Sequence, residues 1–477
     1  MCKGIQTKRA KCLEVFAPHW RVGYISQVTL ELNTADKDVV VVGLGYVGLT
    51  LAAHLANIGF KVHGIEIRKS VLELLQQKKA FFWEPNLNEV ISRTSDSGNF
   101  SFSEDLPRSK GNRVFIITVG TPLDTEGKAN LVPIISASTQ VSEVLNSGDL
   151  VILRSTVKLG TTDTIVRQIL SQKHKKFDLA FCPERTLEGS ALQELGNLPQ
   201  IIGANTLETR ERVAKFFGHS TSSVIMVSDT KTAEMIKLVD NMQRDAHFAI
   251  SNEIAEMCNH SEIRAQDVIN SGKLGYPRTN LANPGPVGGP CLEKDSYILA
   301  ESFKEVPGLG QVAVGARNAN ENVIRSGASF ITEFLKARFD QEPIKIAVLG
   351  LAFKGKPETE DLRGSPSISL SKILRVNFPK AEILGWDPMI TSLQSSEIPW
   401  NLASGLNDAV SGANAVIIMN NHPKLDGLDI FNLSSIMKEN SLIYDFWDRY
   451  SNSILDNSPS TYHGWGNHRS TMFEVNS

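Results

Sequence analysis

The chain has 477 residues, a hydrophobic fraction of 41%, a charged fraction of 21% and a formal net charge of -3. This composition is ordinary for a globular protein, and the near-neutral charge gives no reason to expect nucleic acid or a membrane surface as a partner. No apolar run approaches the roughly 18 residues that span a bilayer, and the five cysteines form no CxxC pair. We therefore expect a cytoplasmic protein with reduced thiols and no metal site.

The start of the chain differs in character from the rest of the sequence. Residues 1–36 show no clear hydrophobic period and lack the long apolar segment of a secretory signal, so we interpret them as a partly disordered extension. A β-branched strand at 39–42, a glycine turn, an apolar helix at 47–57 and a second strand at 61–67 come next. Further strands alternate with helices, at residues 113–119, 150–153, 179–182 and 201–202. The alternation predicts a doubly wound parallel α/β domain over residues 37–228.

Three glycines, Gly43, Gly45 and Gly48, form the sequence GLGYVG between the first strand and its helix. Glycines so placed permit a tight turn, close approach to a pyrophosphate and close helix–strand packing, which indicates dinucleotide binding. A purely structural turn is the alternative. Glu66 ends the second strand, where a carboxylate binds both ribose hydroxyls and repels a 2'-phosphate, so it predicts NAD rather than NADP. Arg68, two residues on, weakens that preference.

A central helical domain is predicted over residues 229–342. Residues 229–260 contain no proline or glycine and predict one long helix with Asp229 as its N-cap. Within it Lys237 and Asn241 are four residues apart, hence on one face, where a lysine can stabilise an oxyanion. The alternative is a polar surface face on which Glu234 pairs with Lys237.

A loop rich in glycine and proline leads out of this helical region to the sequence GGPCLEKD. Cys291 directly follows Gly288, Gly289 and Pro290, and Asp295 is four residues on. Glycines let the backbone approach a ligand closely, the cysteine is a candidate nucleophile, and the aspartate is a candidate base. The alternative for the cysteine is a small buried hydrophobe.

A second α/β domain is predicted over residues 343–477, beginning with a strand at 344–349 that ends in glycine. The predicted fold class is thus α/β, with two Rossmann-like doubly wound domains joined by the central helical domain. Lys354 and Arg363 follow this strand, and loops beyond strand C-termini are where α/β sheets bind ligands. Two cations there suit a diphosphate, although ordinary surface charge is the alternative. In the first domain, Glu184 follows a strand and Pro183, and a solvated loop carboxylate is its alternative.

Taken in order, these motifs resemble the UDP-glucose/GDP-mannose dehydrogenase family, which are NAD-dependent nucleotide-sugar 6-dehydrogenases. The resemblance runs from about residue 39 to about residue 447. It includes GLGYVG, GTP at 120–122, STVKLGTT, PERTLEG, EMIKLVDN, GGPCLEKD and LGLAFKGKPETEDLRGSP. The family oxidises the sugar C6 alcohol to a carboxylate with two NAD, and its three domains bind NAD, form a dimer and bind the nucleotide diphosphate.

The resemblance also implies a role for each matching residue. Cys291 would capture the aldehyde as a thiohemiacetal and then carry a thioester, which Glu184 would help to hydrolyse. Lys237 and Asn241 would stabilise oxyanions and hold the substrate, and Asp295 would handle protons and water. The implied cofactor contacts are Gly43, Gly45, Tyr46, Val47, Gly48, Glu66, Arg68, Thr121 and Thr156, with Thr121 near the nicotinamide.

Further residues match substrate contacts of the family. They are Arg185, Gly288, Lys354 and Arg363, together with Arg278, which resembles an arginine that enters the neighbouring subunit's site. The resemblance therefore predicts a homodimer in which Arg278 acts in trans on a UDP-sugar substrate.

The sugar is predicted from smaller differences. Pro290 precedes the cysteine, where the UDP-glucose branch commonly has serine and the UDP-N-acetylglucosamine branch histidine. Together with PERTLEG and NMQRDAHFAISNE, it looks like the UDP-N-acetylmannosamine branch, in which Arg185 and Arg244 help to hold the helix and the substrate region. The product would be a uronic acid for surface polysaccharide biosynthesis. The Lys158–Leu159 pair and residues 1–36 depart from the family pattern.

Three other functions stay open at this point. The same reaction on UDP-N-acetylglucosamine, UDP-glucose or GDP-mannose is the first. The second is a two-electron alcohol or hydroxyacid dehydrogenase that uses the lysine alone, with Cys291 structural. The third is a non-catalytic nucleotide-binding or scaffolding protein.

Overall fold

The computed structural model describes residues 13–14, 23–26, 34–109, 112–339, 343–392, 398–450 and 460–467. The chain divides into two compact units, Met1–Asp240 and Asn241–Ser477. The division falls inside one helix, Thr230–His260. Most of the predicted N-terminal extension lies outside the described residues. The domain boundaries after residues 228 and 342 remain a proposal about chain organisation.

The first unit is built on a ten-stranded sheet. Its strands are β1 Leu13–Glu14, β2 Gly23–Ser26, β3 Asp38–Val42, β4 Lys61–Ile65, β5 Phe100–Ser103, β6 Val114–Ile117, β7 Leu150–Leu153, β8 Asp178–Phe181, β9 Gln200–Gly203 and β10 Ser223–Val227. The spatial order is β1-β2-β10-β9-β8-β7-β6-β3-β4-β5. Strands β3 to β8 are mutually parallel, β9 is antiparallel to β8, and β10 is parallel to β9. The six parallel strands have the doubly wound order of dinucleotide-binding folds.

Helices cover both faces of this sheet. They are α1 Tyr46–Asn57, α2 Lys69–Gln76, α3 Leu87–Asp96, α4 Val132–Val144, α5 Arg167–Ser171, α6 Ala191–Asn197 and α7 Leu207–Phe217, followed by α8 Thr230–His260. Alternate residues of β3 belong to different cores: Val39 and Val41 to one, Val40 and Val42 to the other. The run of four valines is therefore what a strand buried on both faces requires.

Two short strands come from the predicted extension. Strand β2 pairs antiparallel with β10, with Tyr24 opposite Ile225, and β1 pairs with β2. The interpretation of residues 1–36 as a partly disordered extension did not include these two strands. Strands of two and four residues are too short to show a two-residue period in the sequence.

The second unit combines the remainder of α8 with three more helices and a six-stranded parallel sheet. The helices are α9 Ala265–Lys273, α10 Leu292–Glu301 and α11 Gln311–Phe339. The strands are β11 Lys345–Leu349, β12 Glu382–Trp386, β13 Asn401–Leu402, β14 Ala415–Ile418, β15 Leu442–Asp445 and β16 Thr461–Gly464, with α12 Pro366–Asn377, α13 Leu406–Val410 and α14 Ile430–Ile436 between them. The order β13-β12-β11-β14-β15-β16 repeats that of the six mutually parallel strands of the first sheet, β5-β4-β3-β6-β7-β8, so the predicted fold class is confirmed.

One hydrophobic core serves both parts of the second unit. Phe334 of α11 belongs to the same cluster as Ile346 of β11 and Tyr444 of β15. The helical segment and the second sheet are therefore packed together rather than loosely linked. Among the described helices, none has the length and apolarity needed to cross a bilayer.

Candidate active site

The glycine turn after β3 leaves the start of α1 open. Gly43 has a φ of +95°, in the left-handed region that favours glycine. A Cβ on Gly48 would come within 1.9 Å of the Gly43 carbonyl oxygen, whereas a Cβ on Gly45 would have no neighbour within 4 Å. Gly45 is the N-cap of α1 and supplies no side-chain hydrogen bond. Within the part of the chain that the structure describes, no side chain caps the first N–H groups of the helix, which fits binding of the pyrophosphate of a dinucleotide there.

Glu66 lies just beyond β4 and is buried. Its carboxylate accepts hydrogen bonds from the Arg68 backbone N–H (3.0 Å), Nε (3.0 Å) and Nη2 (2.8 Å), and the Arg68 guanidinium lies 4.6 Å from the Phe81 ring centre. Burial alone would raise the pKa of Glu66, but the bonds from Arg68 outweigh it and lower that pKa. Arg68 is therefore already matched by a carboxylate, which weakens the case that it selects a 2'-phosphate.

The other predicted cofactor residues differ in what their side chains do. The Thr121 hydroxyl is buried and has no hydrogen-bond partner among the described residues, as expected for a group that meets a ligand. Thr156 follows β7 and Val47 lies in the first turn of α1; both are half-buried. Tyr46 instead donates its hydroxyl proton to Glu84 and accepts a bond from the Gly189 N–H at 3.1 Å. Its side chain is thus tied into the protein.

Glu184 is buried and held on both oxygens. Oε2 accepts bonds from Arg154 Nε (2.9 Å) and Nη2 (2.5 Å), and Oε1 accepts from the backbone N–H groups of Arg185 (2.8 Å) and Thr186 (2.7 Å). Burial opposes the charged form, but Arg154 and these backbone bonds lower the pKa of Glu184. The alternative of a solvated loop carboxylate is therefore wrong.

Arg154 was missed in the sequence. It is buried, and its Nη1 also donates to the Gln200 side-chain oxygen at 2.7 Å. The signal was a single charged residue placed directly after the apolar run of β7, because a cation in such a position needs a partner from elsewhere in the fold.

Lys237 is 8% exposed on α8. Glu234, its expected partner, is fully buried and accepts bonds from the Gly160 N–H (2.5 Å), the Thr162 N–H (2.8 Å) and the Thr162 hydroxyl (2.6 Å). Across the described ranges no hydrogen bond or ion pair is formed by the Lys237 ammonium. The alternative of an exposed polar face with a Glu234–Lys237 pair is therefore wrong, and a buried unpaired ammonium points to a ligand.

In the second unit the cysteine lies beside a buried polar cluster. The Cys291 side chain is exposed, and the residue is the N-cap of α10. Asp295, one turn along and fully buried, accepts bonds from Asn241 Nδ2 (2.5 Å) and Lys294 Nζ (2.5 Å). Burial alone would lower the pKa of Lys294, but Asp295 and then Cys291 raise it. The alternative of a buried filler cysteine is wrong.

The glycines before Cys291 have a reason that differs from the predicted one. A Cβ on Gly288 would lie 2.2 Å from the Gly364 carbonyl oxygen, and one on Gly289 would lie 2.5 Å from the Phe353 ring. The Gly289 N–H donates to the same Gly364 oxygen at 2.8 Å. Close approach of this chain to itself therefore explains both glycines without a ligand, and a substrate contact at Gly288 stays a prediction.

The two predicted phosphate cations have different surroundings. Arg363 is exposed and forms a forked pair with Asp361, with Nε–Oδ1 at 3.0 Å and Nη2–Oδ2 at 2.5 Å. Lys354 is half-buried, with Nζ 5.4 Å from the Phe353 ring centre. A phosphate at this loop would have to share Arg363 with Asp361.

Three further arginines were predicted to contact or support the substrate region. Arg185 donates to the Pro199 carbonyl at 2.7 Å and pairs with Asp240 of α8 at 3.5 Å, which fits the prediction that it helps to hold the helix. Arg244 is exposed on α8. Arg278 is exposed and stacks on Tyr276, with its guanidinium 4.7 Å from the ring centre.

A doubly wound sheet with an open glycine turn, and a cysteine at a helix N-terminus beside a buried aspartate, define an NAD-dependent oxidoreductase. Three models of one family match successive parts of the chain: its NAD binding domain at residues 37–221, its central domain at 231–322 and its UDP binding domain at 347–452. The chain belongs to the UDP-glucose/GDP-mannose dehydrogenase family. It is an NAD-dependent nucleotide-sugar dehydrogenase with a UDP-sugar substrate, as the sequence predicted.

Individual relatives agree with this assignment. A UDP-N-acetyl-D-mannosamine dehydrogenase of Pyrococcus horikoshii is 31% identical over 411 residues, 85% of this chain and 94% of the relative. A protein of the same name from Methanocaldococcus jannaschii is 31% identical over 424 residues, 87% of this chain and 93% of the relative. The solved structure of UDP-D-ManNAc dehydrogenase from Pyrococcus horikoshii matches with a TM-score of 0.79 at 28% identity, covering 90% of this chain and 99% of that one.

Proposed function

We propose that this chain oxidises the C6 alcohol of a UDP-N-acetylhexosamine, UDP-N-acetyl-D-mannosamine, to the uronic acid, for surface polysaccharide biosynthesis. The observation that carries the proposal is the exposed Cys291 thiol at the start of α10, one turn before buried Asp295. A dehydrogenase that stops after one oxidation needs no such nucleophile. The names of the relatives support the choice of sugar.

Four electrons leave the sugar in this reaction. One alcohol, two NAD⁺ and one water give one carboxylate, two NADH and three protons. The Gly43–Gly48 turn, Glu66 and Thr121 would hold NAD, which would accept the hydride in each oxidation. The remaining chemistry belongs to side chains of this protein.

Each side chain has a defined task in the proposed mechanism. Lys237 stabilises the alkoxide and later oxyanions, because its ammonium has no described partner to neutralise it. The Cys291 sulfur forms a bond to the aldehyde carbon, giving a thiohemiacetal that the second oxidation converts to a thioester. Asn241 holds Asp295, which accepts the proton that each of the two oxidations releases. Water then breaks the carbon–sulfur bond, and ionised Glu184 takes a proton from that water.

The stoichiometry of NADH tests the proposal. Purified protein is incubated with NAD and a panel of UDP- and GDP-sugars, and NADH is counted per sugar consumed. We expect two NADH per UDP-N-acetyl-D-mannosamine. A value of one would overturn the cysteine mechanism, and turnover restricted to UDP-glucose would overturn the assigned sugar.

The homodimer with Arg278 in trans is part of the same proposal. Arg278 is exposed, and the same unit exposes the large apolar side chains Ile250, Met257 and Leu274, which a second copy would cover. Mixing Arg278→Ala and Cys291→Ser proteins, neither of which should form the acid alone, tests it, because only a mixed dimer with trans sites has one intact site. We expect about a quarter of the wild-type rate of acid formation after subunit exchange. No recovery in a proven mixed dimer would place Arg278 in its own subunit's site.

A further inference from the structure

The helical part of the second unit contains a buried ion pair that the proposed mechanism does not use. Arg317 of α11 is 1% exposed and Asp245 of α8 is 0% exposed, and Nη1 lies 3.0 Å from Oδ1. Replacing such a pair with apolar side chains is often neutral or stabilising. A contribution to stability is therefore a weak explanation for the Arg317–Asp245 pair. The other hydrogen bonds that these two side chains make indicate its role.

Hydrogen bonds from Arg317 and Asn252 hold the segment of chain that precedes the cysteine. Arg317 Nη2 donates to the Val287 carbonyl at 2.9 Å. Asn252 accepts from the Gly285 N–H at 2.8 Å and donates to the Gly285 carbonyl at 3.0 Å. Asn252 also donates to Asn320 at 2.8 Å. The segment that leads into GGPC is thus held at two of its residues.

The Arg317–Asp245 pair also holds the helix that follows the cysteine. The Ser296 hydroxyl of α10 donates to Asp245 Oδ2 at 3.1 Å, and Asn320 donates to Asp245 Oδ1 at 2.7 Å. Cys291 is the N-cap of α10. One guanidinium–carboxylate pair therefore links the loop before Cys291 to the helix after it.

We infer that Arg317 is a positioning residue for Cys291, an inference that rests on the proposed function. It fixes the loop through Val287 and, through Asp245, the helix that begins at the cysteine. Covalent capture requires the sulfur at the reacting carbon, and a misplacement of about 1 Å costs about 10²-fold in rate. Lysine at this position would keep a charge for Asp245, but without the planar fork it would not hold the carboxylate and the carbonyl together.

The test compares Arg317→Lys with Arg325→Lys, a matched exchange at an exposed position on the same helix. In Arg317→Lys we expect the first oxidation to continue and the second to slow about 10- to 100-fold. NADH per sugar should then fall from two toward one, with free aldehyde trapped by hydroxylamine, while KM for the UDP-sugar stays within about 2-fold. Arg325→Lys should keep two NADH per sugar at the wild-type rate.

The outcomes separate this inference from the proposed function. Full turnover to the acid by Cys291→Ser sinks the cysteine mechanism itself. If Cys291→Ser gives one NADH while Arg317→Lys keeps two, whether at the wild-type rate or more slowly, Arg317 does not position the cysteine. Should Arg317→Lys fail to fold, Ser296→Ala removes one contact without stranding a charge. It should release aldehyde to a smaller extent, and none at all would overturn the inference.

Discussion

Glu184 and Lys237 are both buried, but their surroundings differ in a way that their sequence neighbours do not reveal. Glu184 is held by Arg154, a residue from the end of another strand. Lys237 does not pair with Glu234, because the Glu234 carboxylate accepts hydrogen bonds from the N–H groups of Gly160 and Thr162 instead. The Glu184 carboxylate is therefore neutralised within the protein, whereas the Lys237 ammonium has no described partner, as expected for a group that binds a ligand.

The Arg154–Glu184 pair predicts a pH dependence. Because the pKa of Glu184 is lowered, the carboxylate stays ionised as pH falls through the ordinary glutamate range near 4.3. The stability that the pair contributes is thus present above that pH and is lost as pH falls through the lower, folded-state pKa. In Arg154→Met, burial without the guanidinium should raise the pKa of Glu184.

The measurement is kcat as a function of pH. The acid limb should move toward neutral pH in Arg154→Met and less far in Arg154→Lys, which keeps a charge. An unchanged acid limb in Arg154→Met would show that Glu184 does not take part in the rate-limiting chemistry. The Met variant should also unfold about 3–5 kcal/mol more easily, since an unpaired carboxylate stays buried.

Lys237→Met makes the opposite prediction for stability. Removing a buried ammonium without a described partner should leave the melting temperature unchanged or slightly higher. Activity should fall at least about 10²-fold, because the oxyanion loses its cation. Lys231→Met, at an exposed position on the same helix, is the control for both measurements. A marked loss of melting temperature would mean that Lys237 is structural.

At the scale of elements, the most unexpected feature is the pairing of β2 with β10. Strand β10 would otherwise leave its backbone groups unpaired at the edge of the first sheet, which is a common route to aggregation. The N-terminal strands cover this edge over Ser223–Met226. The part of the extension that the structure describes thus protects a sheet edge.

Removal of residues 1–33 tests that role. We expect the shortened protein to keep two NADH per sugar but to melt about 2–4 °C lower and to scatter more light on standing. Equal melting and equal scattering would show that the β2–β10 pairing contributes nothing to the edge.

The long and periodic elements were predictable, and the short ones were not. The strand at 39–42 and the helix at 229–260 are observed as Asp38–Val42 and Thr230–His260, because local pattern alone determines them. Strands β5 and β10 were missed, since their residues are only partly buried and their pattern is weak. Among the site residues, the candidates came from motifs. Arg154, Asp361 and Arg317 were not among them. The charge after β7 marks Arg154 as a residue that needs a partner, but long-range or loop-specific contacts leave no spacing that identifies the partner.

At the scale of the whole molecule, the six parallel strands of each sheet have the same order, but the turns that follow their first strands differ. After β3, no described side chain caps the first N–H groups of α1. After β11 the N–H groups of Leu351 and Ala352 donate to Asp387, at 2.7 and 3.1 Å. Asp387 follows β12 as Glu66 follows β4, so a carboxylate of the protein occupies the anion position of the second turn.

This difference predicts one NAD for each chain. Isothermal titration should give a single dinucleotide site per chain, and Gly48→Ala should weaken it at least about 10-fold, since the new Cβ collides with the Gly43 carbonyl. Asp387→Asn is the control and should leave the NAD stoichiometry at one. Two sites per chain would contradict the assignment of the second sheet.

The contact between Gly288 and Gly364 joins the loop that ends in the cysteine to the loop that carries the proposed diphosphate contact. The loop that ends in Cys291 is bonded to the loop that carries Arg363, so the nucleophile and the proposed diphosphate contact keep a constant separation. A fixed distance between these two loops would select substrates by their length. In the proposed function, a sugar joined to its nucleotide by a diphosphate would reach from Arg363 to the Cys291 sulfur, whereas a monophosphate would be shorter and a free sugar would have no phosphate for Arg363 to bind.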